Sequence, residues 1–456
     1  MKRFGSRRMF ASGRYYLWVA AFLLGLLPVA GWAQTRSVAP LLVISIDGMR
    51  PDYVTHADEH GVKIPTLRAF LKEGTWAEGV INAMPTVTYP NHTTMITGVW
   101  PAEHGIYANA PFDPLHPHSN ILNENFSAIR VETIFQAAKQ AGLKTAAVGW
   151  PVTLGAPIDY NIAEDAESER TDKPDGPPYN PPDLLTQIGV KGSDKDEVKV
   201  QQTIAILQKF KPDVMFMHFN DLDHQEHLHG PFSAEAYATL ETIDGQVAAI
   251  QDAALKINPA TRIVIVSDHG FQAVTHYGID LNAFFEQQGL IKYQTDAKTG
   301  EASRTVTDWT AEALGTGGCS FIMLRDPKDV ATVDKVRSLL QQAKAKPENG
   351  IGQILERDEI AKFGGTPNAS FFVVFADGYK AGGGHPPKPG KPIQEGQHGY
   401  LPSNPSMHAS FFMKGPGIAA SRDLHLIDMR QIAPTFAEML GVTLPAAKQK
   451  PVHYKP

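Results

Sequence analysis

The stretch Leu41-Leu42-Val43-Ile44-Ser45-Ile46-Asp47-Gly48 joins a continuous apolar run to an acidic turn, and it predicts the architecture of the chain. Such runs suit strands that are buried on both faces, as in a parallel sheet. Residues 214–217 and 263–266 form two more runs of this kind. Helical patterns separate the runs, so the sequence predicts a doubly wound α/β fold with a mostly parallel sheet and helices on both faces.

Three helices are predicted from apolar periodicity, over 131–141, 234–257 and 427–440. Gly142 and Gly441 follow the first and last of them, and residues 145–148 resemble a strand. The five prolines within 171–182 predict an extended surface loop. Residues 277–395 are less regular, and we expect them to form an inserted small cap or lobe beside the sheet.

Composition excludes several classes of protein. The 456 residues are 43% hydrophobic and 20% charged, which is ordinary for a globular chain and excludes disordered, collagen-like and coiled-coil proteins. The net charge of -6 provides no basic face for binding a nucleic-acid duplex. The single cysteine, Cys319, excludes an internal disulfide.

The first 33 residues are predicted to be a signal peptide rather than part of the fold. Five basic residues precede an apolar run that ends at small residues, Gly31-Trp32-Ala33. The run is also long enough for a retained membrane anchor. Pro28 favours cleavage instead, and after cleavage we expect no stable membrane span. The segment Ser6-Arg7-Arg8-Met9-Phe10 fits either a twin-arginine signal or a chance arginine pair in a Sec signal. Cleavage would leave residues 34–456 as a single domain with a net charge of -11, which suggests an exported, bacterial periplasmic protein.

Metal-type ligands follow three of the predicted strands. Asp47 follows the first, the segment from Asn220 to His227 follows the second, and Asp268-His269-Gly270 follows the third. Each alone has an ordinary explanation as a turn, a helix cap or a solvated loop. Because ligands in open α/β sheets bind beyond the carboxyl ends of the strands, all three are expected to meet at one edge. Carboxylate and imidazole ligands together suit zinc, and less specifically manganese or iron.

Three further observations concern the same edge. The spacing of Asp223 and His227 places both on one face of a helical turn. His398 lies in Gly396-Gln397-His398-Gly399-Tyr400, which alone is a weak signal. Pro90 fits a first helical turn, so Thr88 is expected just before a helix N-terminus, where negative charge is favoured. The alternative is that Thr86 or Thr88 is only a helix cap.

These segments together resemble the nucleotide pyrophosphatase/phosphodiesterase family of the alkaline phosphatase superfamily over about residues 40–445. The most specific stretch runs from Thr86 to Asn109 and contains Thr-x-Thr-Tyr-Pro-Asn-His, Thr-Gly-x-Trp-Pro and Glu-His-Gly-Ile. Asp47-Gly48, Asp223-x3-His227, Asp268-His269-Gly270 and His398-Gly399 match the metal blocks in order. The late segment from Ala433 to Gly441 is also similar to this superfamily. The resemblance implies an alkaline-phosphatase-like fold.

The resemblance also implies a role for each site residue. Thr88 would be the nucleophile and a metal ligand, and Asn109 would donate to a phosphoryl oxygen. Two zinc ions, or manganese or another divalent metal, would be held by two sets of side chains: Asp223, His227 and His398 for one, and Asp47, Asp268 and His269 for the other.

The expected substrate is a small-molecule nucleotide or another phosphodiester. The positive charge of two divalent cations equals the negative charge of three carboxylates and a threonine alkoxide. Such a neutral site suits a singly charged diester better than a doubly charged monoester. Tyr107, with Tyr179 or Trp150, is the candidate for stacking on a nucleotide base, although a core or loop role is the plainer reading of each. The sequence lacks the many cysteines and the nuclease-like domain of the animal family members, so properties tied to those features are not expected.

Several alternatives remain open from the sequence. A phospholipid or choline phosphodiesterase and an alkaline-phosphatase-like phosphomonoesterase would use the same scaffold. A sulfatase would need Cys or Ser at the nucleophile position, where this chain has Thr88. A non-catalytic exported binding protein would be expected to lack a ligand or the nucleophile, and none is missing. The sequence leaves the oligomeric state undetermined.

Overall fold

The strand Leu41–Ile46 lies at the centre of the main sheet. In the computed structural model, which describes residues 38–116, 121–164, 178–295, 302–383 and 393–456, this strand runs parallel to both of its neighbours, Val214–Phe219 and Arg262–Val266. All six of its residues are buried. The continuous apolar run therefore reflects a strand that is covered on both faces.

Nine strands of the described residues form this sheet, and five consecutive ones are parallel. The antiparallel strand at one end pairs with Asn161 and Ile162, and an antiparallel strand on the other side pairs with residues 263–266. From edge to edge the strands are Arg422–Asp423, Thr75–Trp76, Phe411–Lys414, Arg262–Val266, Leu41–Ile46, Val214–Phe219, Thr145–Val148, Tyr160–Ile162 and Tyr179–Asn180.

Helices cover both faces, as predicted, because alternate residues of the central strand enter two different cores. Val43 packs with the helices Thr88–Thr97, Ile134–Gln140 and Ile432–Leu440. Leu42 and Ile44 pack on the other face, with the helices Pro65–Glu73, Asp196–Phe210 and Ala234–Ile257. Other helices of the described residues that accompany this sheet are Asp52–Thr55, Ala57–His60, Pro101–His104, Leu184–Ile188 and Asp221–His229.

The predicted elements differ from the observed ones mainly at their ends. The helix predicted over 131–141 begins at Ile134, because Thr133 and Gln136 form a capping box. The helix predicted over 427–440 begins at Ile432, because Leu426–Asp428 pairs as a strand with Gly79–Ile81 and a 3₁₀ turn follows. The helix Ala234–Ile257 and the strand Thr145–Val148 have the predicted bounds. Of the proline-rich segment, residues 178–182 are described, and they include an edge strand rather than only loop.

A second, smaller sheet lies within residues 277–395 and has a core of its own. Its order is Ala311–Gly315, Cys319–Leu324, Ala369–Phe375 and Ile351–Glu356, and all of its pairs are antiparallel. Helices Leu281–Gln287, Val330–Lys344 and Arg357–Lys362 accompany it, as do the paired strands Ile291–Thr295 and Ala302–Trp309. Met84 and Tyr400 belong to the same apolar cluster, so this lobe packs against segments that flank Thr88 and His398.

The predicted signal peptide lies outside the described residues. Among the residues that are described, no helix has both the length and the apolar character needed to cross a bilayer.

Candidate active site

The candidate site lies at the edge where the parallel strands end. Ile46 is in register with Phe219, and Ser45 with Val266, so the three strands end at nearly the same level. Asp47 and Asp268 therefore come together immediately after their strands. The helix Asp221–His229 brings Asp223 and His227 to the same edge, and the strand Glu395–Gln397 leads to His398.

Five predicted ligands form two overlapping groups that share His269. Within each group, the potential ligand atoms lie within 4.8 Å of one another. One group contains Asp47, Asp268 and His269, and the other contains Asp223, His269 and His398. The sixth, His227, contributes an Nε2 atom 3.5 Å from Oδ2 of Asp223. All six predicted ligands therefore gather at one place.

The carboxylates of these groups fit a divalent cation. Oδ1 of Asp47, Oδ1 of Asp223 and Oδ2 of Asp268 are buried and have no hydrogen-bond partner among the described residues. Buried carboxylate oxygens without a partner are costly, and metal coordination is one way in which proteins compensate that cost. Burial raises the pKa of Asp47 well above its usual range, and the negative charge of Asp223 raises it further. Burial and the charge of Asp47 do the same to the pKa of Asp268.

Two of the histidines, His269 and His398, are held in the neutral form that coordinates metals. Burial lowers the pKa of His269 well below its usual range, and the nearby His398 lowers it further. Burial and His227 act in the same direction on the pKa of His398. The rings of His269 and His398 stack with centroids 3.7 Å apart. Nδ1 of His398 lies 3.1 Å from the backbone oxygen of Thr86, an acceptor that favours a proton on Nδ1 and leaves Nε2 for a ligand.

Thr88 lies at the start of a buried helix, facing this cluster. It is the first residue of the helix Thr88–Thr97, which therefore begins one residue earlier than predicted, and Val87 is the N-cap without a side-chain cap bond. Oγ1 of Thr88 lies 3.5 Å from Nε2 of His269. Thr86 is not a cap either, because its hydroxyl donates to the backbone oxygen of Tyr400. The geometry thus argues against the simple capping explanation for both threonines.

Asn109 is attached to the same helix terminus. Its Oδ1 accepts a hydrogen bond of 2.9 Å from the backbone N–H of Tyr89, the residue after Thr88. The backbone N–H of Asn123 in turn donates to the Asn109 carbonyl at 2.7 Å. The side-chain amide of Asn109 is therefore fixed beside Thr88, with its oxygen already used as an acceptor.

The three predicted stacking residues have different environments. Tyr107 is half-buried and lines a cavity of about 240 Å³ together with Phe112, and its hydroxyl accepts from Arg130. Tyr179 lies in the edge strand and packs on a sheet core. Trp150 is 0% exposed and packs edge-on against His92 and Phe216. A wholly buried ring offers no face to a ligand, so the structure does not support stacking by Trp150.

Sequence reasoning assigned no role to several buried polar residues around the cluster. His92 contacts Ser45 through Nε2 at 2.9 Å and the Thr88 carbonyl through Nδ1 at 2.9 Å. His218 lies 3.2 Å from Oδ2 of Asp47 and 3.4 Å from Glu164. His218 is the one polar residue in an otherwise apolar strand, Val214–Phe219, and this feature of the sequence could have identified it as a candidate site residue.

Glu226 was also missed. It lies on the same helix as Asp223 and His227, is wholly buried, and accepts a hydrogen bond of 2.8 Å from the Tyr53 hydroxyl. Burial raises the pKa of Glu226 well above its usual range. A carboxyl group in this position adds to the excess of acidic groups around the cluster.

The central sheet and its helices define an α/β protein with the alkaline-phosphatase-like arrangement that the sequence predicts. Residues 41–401 match the family described as type I phosphodiesterase / nucleotide pyrophosphatase. The chain belongs to this family, which confirms the resemblance stated above.

Individual relatives are distant. Human ectonucleotide pyrophosphatase/phosphodiesterase family member 1 is 28% identical over 240 residues, 51% of this chain and 24% of that protein. Family member 7 of Rattus norvegicus is 21% identical over 435 residues, 93% of this chain and 88% of that protein. The chain thus spans about a quarter of the family member 1 sequences and most of family member 7.

Solved structures show the same fold. Human ectonucleotide pyrophosphatase/phosphodiesterase 5 superimposes with a TM-score of 0.63 at 20% identity, covering 90% of this chain and 96% of that one. An inactive threonine-to-alanine variant of the murine protein, in complex with AMP, gives a TM-score of 0.63 at 19% identity, with 91% and 97% coverage.

Proposed function

We propose that this protein is a metal-dependent hydrolase that cleaves phosphodiester and phosphoanhydride bonds of nucleotides, with Thr88 as the nucleophile. The family membership of residues 41–401 supports the general activity. The complex of the murine relative with AMP, formed by an inactive threonine-to-alanine variant, supports a nucleotide substrate and a threonine nucleophile.

One observation carries the proposal: three carboxylates and three histidines from separate segments gather beside a single hydroxyl group. Three carboxylate oxygens in this cluster are buried and unpartnered within the described structure. Such an arrangement would be unfavourable without cations. The mixture of imidazole and carboxylate ligands favours two Zn²⁺ ions, with Mn²⁺ or another divalent metal as the alternative. We assign Asp47, Asp268 and His269, with Thr88, to one ion, and Asp223, His227 and His398 to the other.

The chain's own residues would act as follows. Oγ1 of Thr88 attacks phosphorus, the bond to the leaving oxygen breaks, and a phosphoryl-threonine forms; water then cleaves it and restores the hydroxyl. Bound divalent ions would favour the ionised hydroxyl and offset charge that develops on the phosphate. The helix N-terminus favours an anion at Thr88. Asn109, whose oxygen is held by the N–H of Tyr89, would present its amide N–H to a phosphoryl oxygen.

Charge favours a diester over a monoester. The three carboxylates and a Thr88 alkoxide balance two divalent cations, so a second phosphate charge would find no excess positive charge. The block from Thr86 to Asn109 contains no Arg or Lys. We therefore expect kcat/KM for a nitrophenyl nucleotide diester to exceed that for nitrophenyl phosphate, and preference for the monoester would contradict this assignment. A panel of ATP, dinucleotides, cyclic dinucleotides and choline phosphodiesters would separate nucleotide from lipid-headgroup specificity.

The nucleophile assignment has a direct test with a matched control. Thr88→Ala should reduce kcat by at least about 10³-fold while the metal content stays unchanged, because removal of a nucleophile removes the covalent route. Thr93→Ala removes a buried hydroxyl from the same helix, where Oγ1 bonds to the Tyr89 carbonyl, and it should retain activity. Normal turnover by Thr88→Ala would refute the assignment.

We also propose that residues 1–33 are cleaved during export to the periplasm, leaving residues 34–456 as one catalytic domain with 277–395 as its inserted lobe. The acidic, cysteine-poor sequence supports this. Mass spectrometry of the exported protein would locate its N-terminus, and a mature chain that begins at Met1 would contradict cleavage.

A further inference from the structure

A polar pair, His218 and Glu164, adjoins the metal-type cluster at Asp47. His218 is 0% exposed, in the otherwise apolar strand Val214–Phe219. Its Nε2 lies 3.2 Å from Oδ2 of Asp47. Its Nδ1 lies 3.2 Å from the backbone oxygen of Gly149 and 3.4 Å from Oε1 of Glu164. Nδ1 therefore faces two acceptor oxygens, those of Gly149 and Glu164, and Nε2 faces the carboxylate of Asp47.

Glu164 is itself held by a second contact at the same oxygen. Nδ2 of Asn220 donates to its Oε1 at 3.2 Å. Oδ1 of Asn220 accepts from Nζ of Lys199 at 2.7 Å, and Lys199 also pairs with Asp196 at 2.8 Å. The chain of contacts therefore runs from a fixed ion pair through Glu164 and His218 to Asp47, and it restrains the His218 ring at both nitrogens.

We propose that Glu164 and His218 are a positioning pair that fixes the Asp47 carboxylate for metal binding. This inference rests on the proposed function, because it presupposes that Asp47 is a ligand. His218 engages Oδ2 of Asp47, which leaves Oδ1 on the side of His269, 3.3 Å from its Nε2. That Oδ1 is one of the buried oxygens without a hydrogen-bond partner in the described structure. One oxygen is thus restrained and the other remains available for a ligand bond.

A structural role alone explains this pair poorly. An apolar ring of similar size would suit the strand, since His218 shares a strand face with the core residues Val214 and Phe216. Burying imidazole and carboxylate groups instead costs free energy unless they are paired. Groups that orient metal ligands typically change metal affinity by about 10- to 100-fold when they are removed.

The experiment is a zinc titration of chelator-stripped full-length protein against a chromophoric competitor. His218→Phe should weaken one of the two bound equivalents by about 10- to 100-fold, whereas His218→Gln should lose less because its amide can still reach Asp47. Glu164→Ala should weaken the same equivalent, and Glu164→Gln less, because its oxygen still accepts from His218. Thermal unfolding of each metal-free variant reports whether it folds.

The matched control is His104→Phe. His104 is also 0% exposed, and its ring nitrogens contact Oγ1 of Thr94 and the backbone N–H of Ile106, each at 3.1 Å. His104→Phe should bind zinc as the wild type does. Wild-type affinity in His218→Phe, or an equal loss in His104→Phe, would overturn the positioning role while leaving the proposed function intact. A wild-type protein that binds no divalent metal would overturn the proposed function itself.

Discussion

Replacing Asp268 with Asn should have opposite effects on stability without and with metal. Asp268 is 0% exposed, and its Oδ2 lies 3.2 Å from Nε2 of His269 without a hydrogen-bond partner among the described residues. Oδ1 accepts from the N–H of Gly48 at 3.3 Å, which an amide oxygen can also do. The substitution therefore removes a charge while keeping the shape of the side chain.

The expected gain in the metal-free protein follows from the distance between the two carboxylates. Asp47 and Asp268 present ligand atoms within 4.8 Å of each other. Two negative charges at 4.8 Å repel by about 3.5 kcal/mol at an effective dielectric constant of about 20. Because 4.8 Å is the upper limit of this separation, metal-free Asp268→Asn should be more stable than the metal-free wild type by about that amount or more when both groups are ionised.

The pH dependence has a definite sign. The folded-state pKa values of Asp47 and Asp268 are raised, mainly by burial. Their contribution to stability is therefore fully present below the unfolded pKa and is lost as the pH rises through the folded pKa. The advantage of metal-free Asp268→Asn should be larger at pH 8 than at pH 5. With saturating zinc the order should reverse, because the variant lacks a ligand and binding stabilises only the folded state.

Denaturant midpoints measured with chelator and with zinc, at pH 5 and pH 8, provide the assay. Asp244→Asn is a control, since Asp244 is buried but accepts backbone N–H bonds from Thr66 and Leu67 away from the cluster; it should lose stability in both conditions. If metal-free Asp268→Asn were less stable than the wild type at pH 8, the repulsion argument would be refuted.

Three further predictions concern the other parts of the site and fold. Asn109→Ala should lower kcat by about 10²- to 10³-fold with little change in metal content, because one donor to the charge that develops on the phosphate is lost. Steady-state kinetics and elemental analysis would measure these two quantities. An unchanged kcat would exclude that role. A chelator should abolish turnover, and Zn²⁺ or Mn²⁺ should restore it, whereas turnover that persists in metal-stripped protein would contradict metal dependence. Thr133→Ala should lower the free energy of unfolding by about 1 kcal/mol, because Thr133 caps a helix and accepts from the N–H of Gln136. The value of kcat should not change. A lower kcat would show that this helix cap affects the active site.

The errors of the sequence analysis fall where tertiary contacts override local patterns. Residues 427–428 continue an apolar helical pattern, yet they form a strand because Gly79–Ile81 offers a parallel partner. Trp150 follows a strand at the correct edge of the sheet, yet it turns inward onto Phe216. In both cases a residue distant in sequence determines the local structure, so the local sequence pattern does not predict it.

The sequence by itself determined the sheet, its buried strands and the ligand residue types. The period of apolar residues is a local property of the chain, and so is the position of Asp47, Asp223 and Asp268 after apolar runs. Only the tertiary structure decided which ligands share a group, that His269 belongs to both, and that His218 contacts Asp47. These relations depend on the register between strands and on distances across the sheet, and burial then sets the pKa values and the unpaired oxygens that a linear sequence cannot reveal.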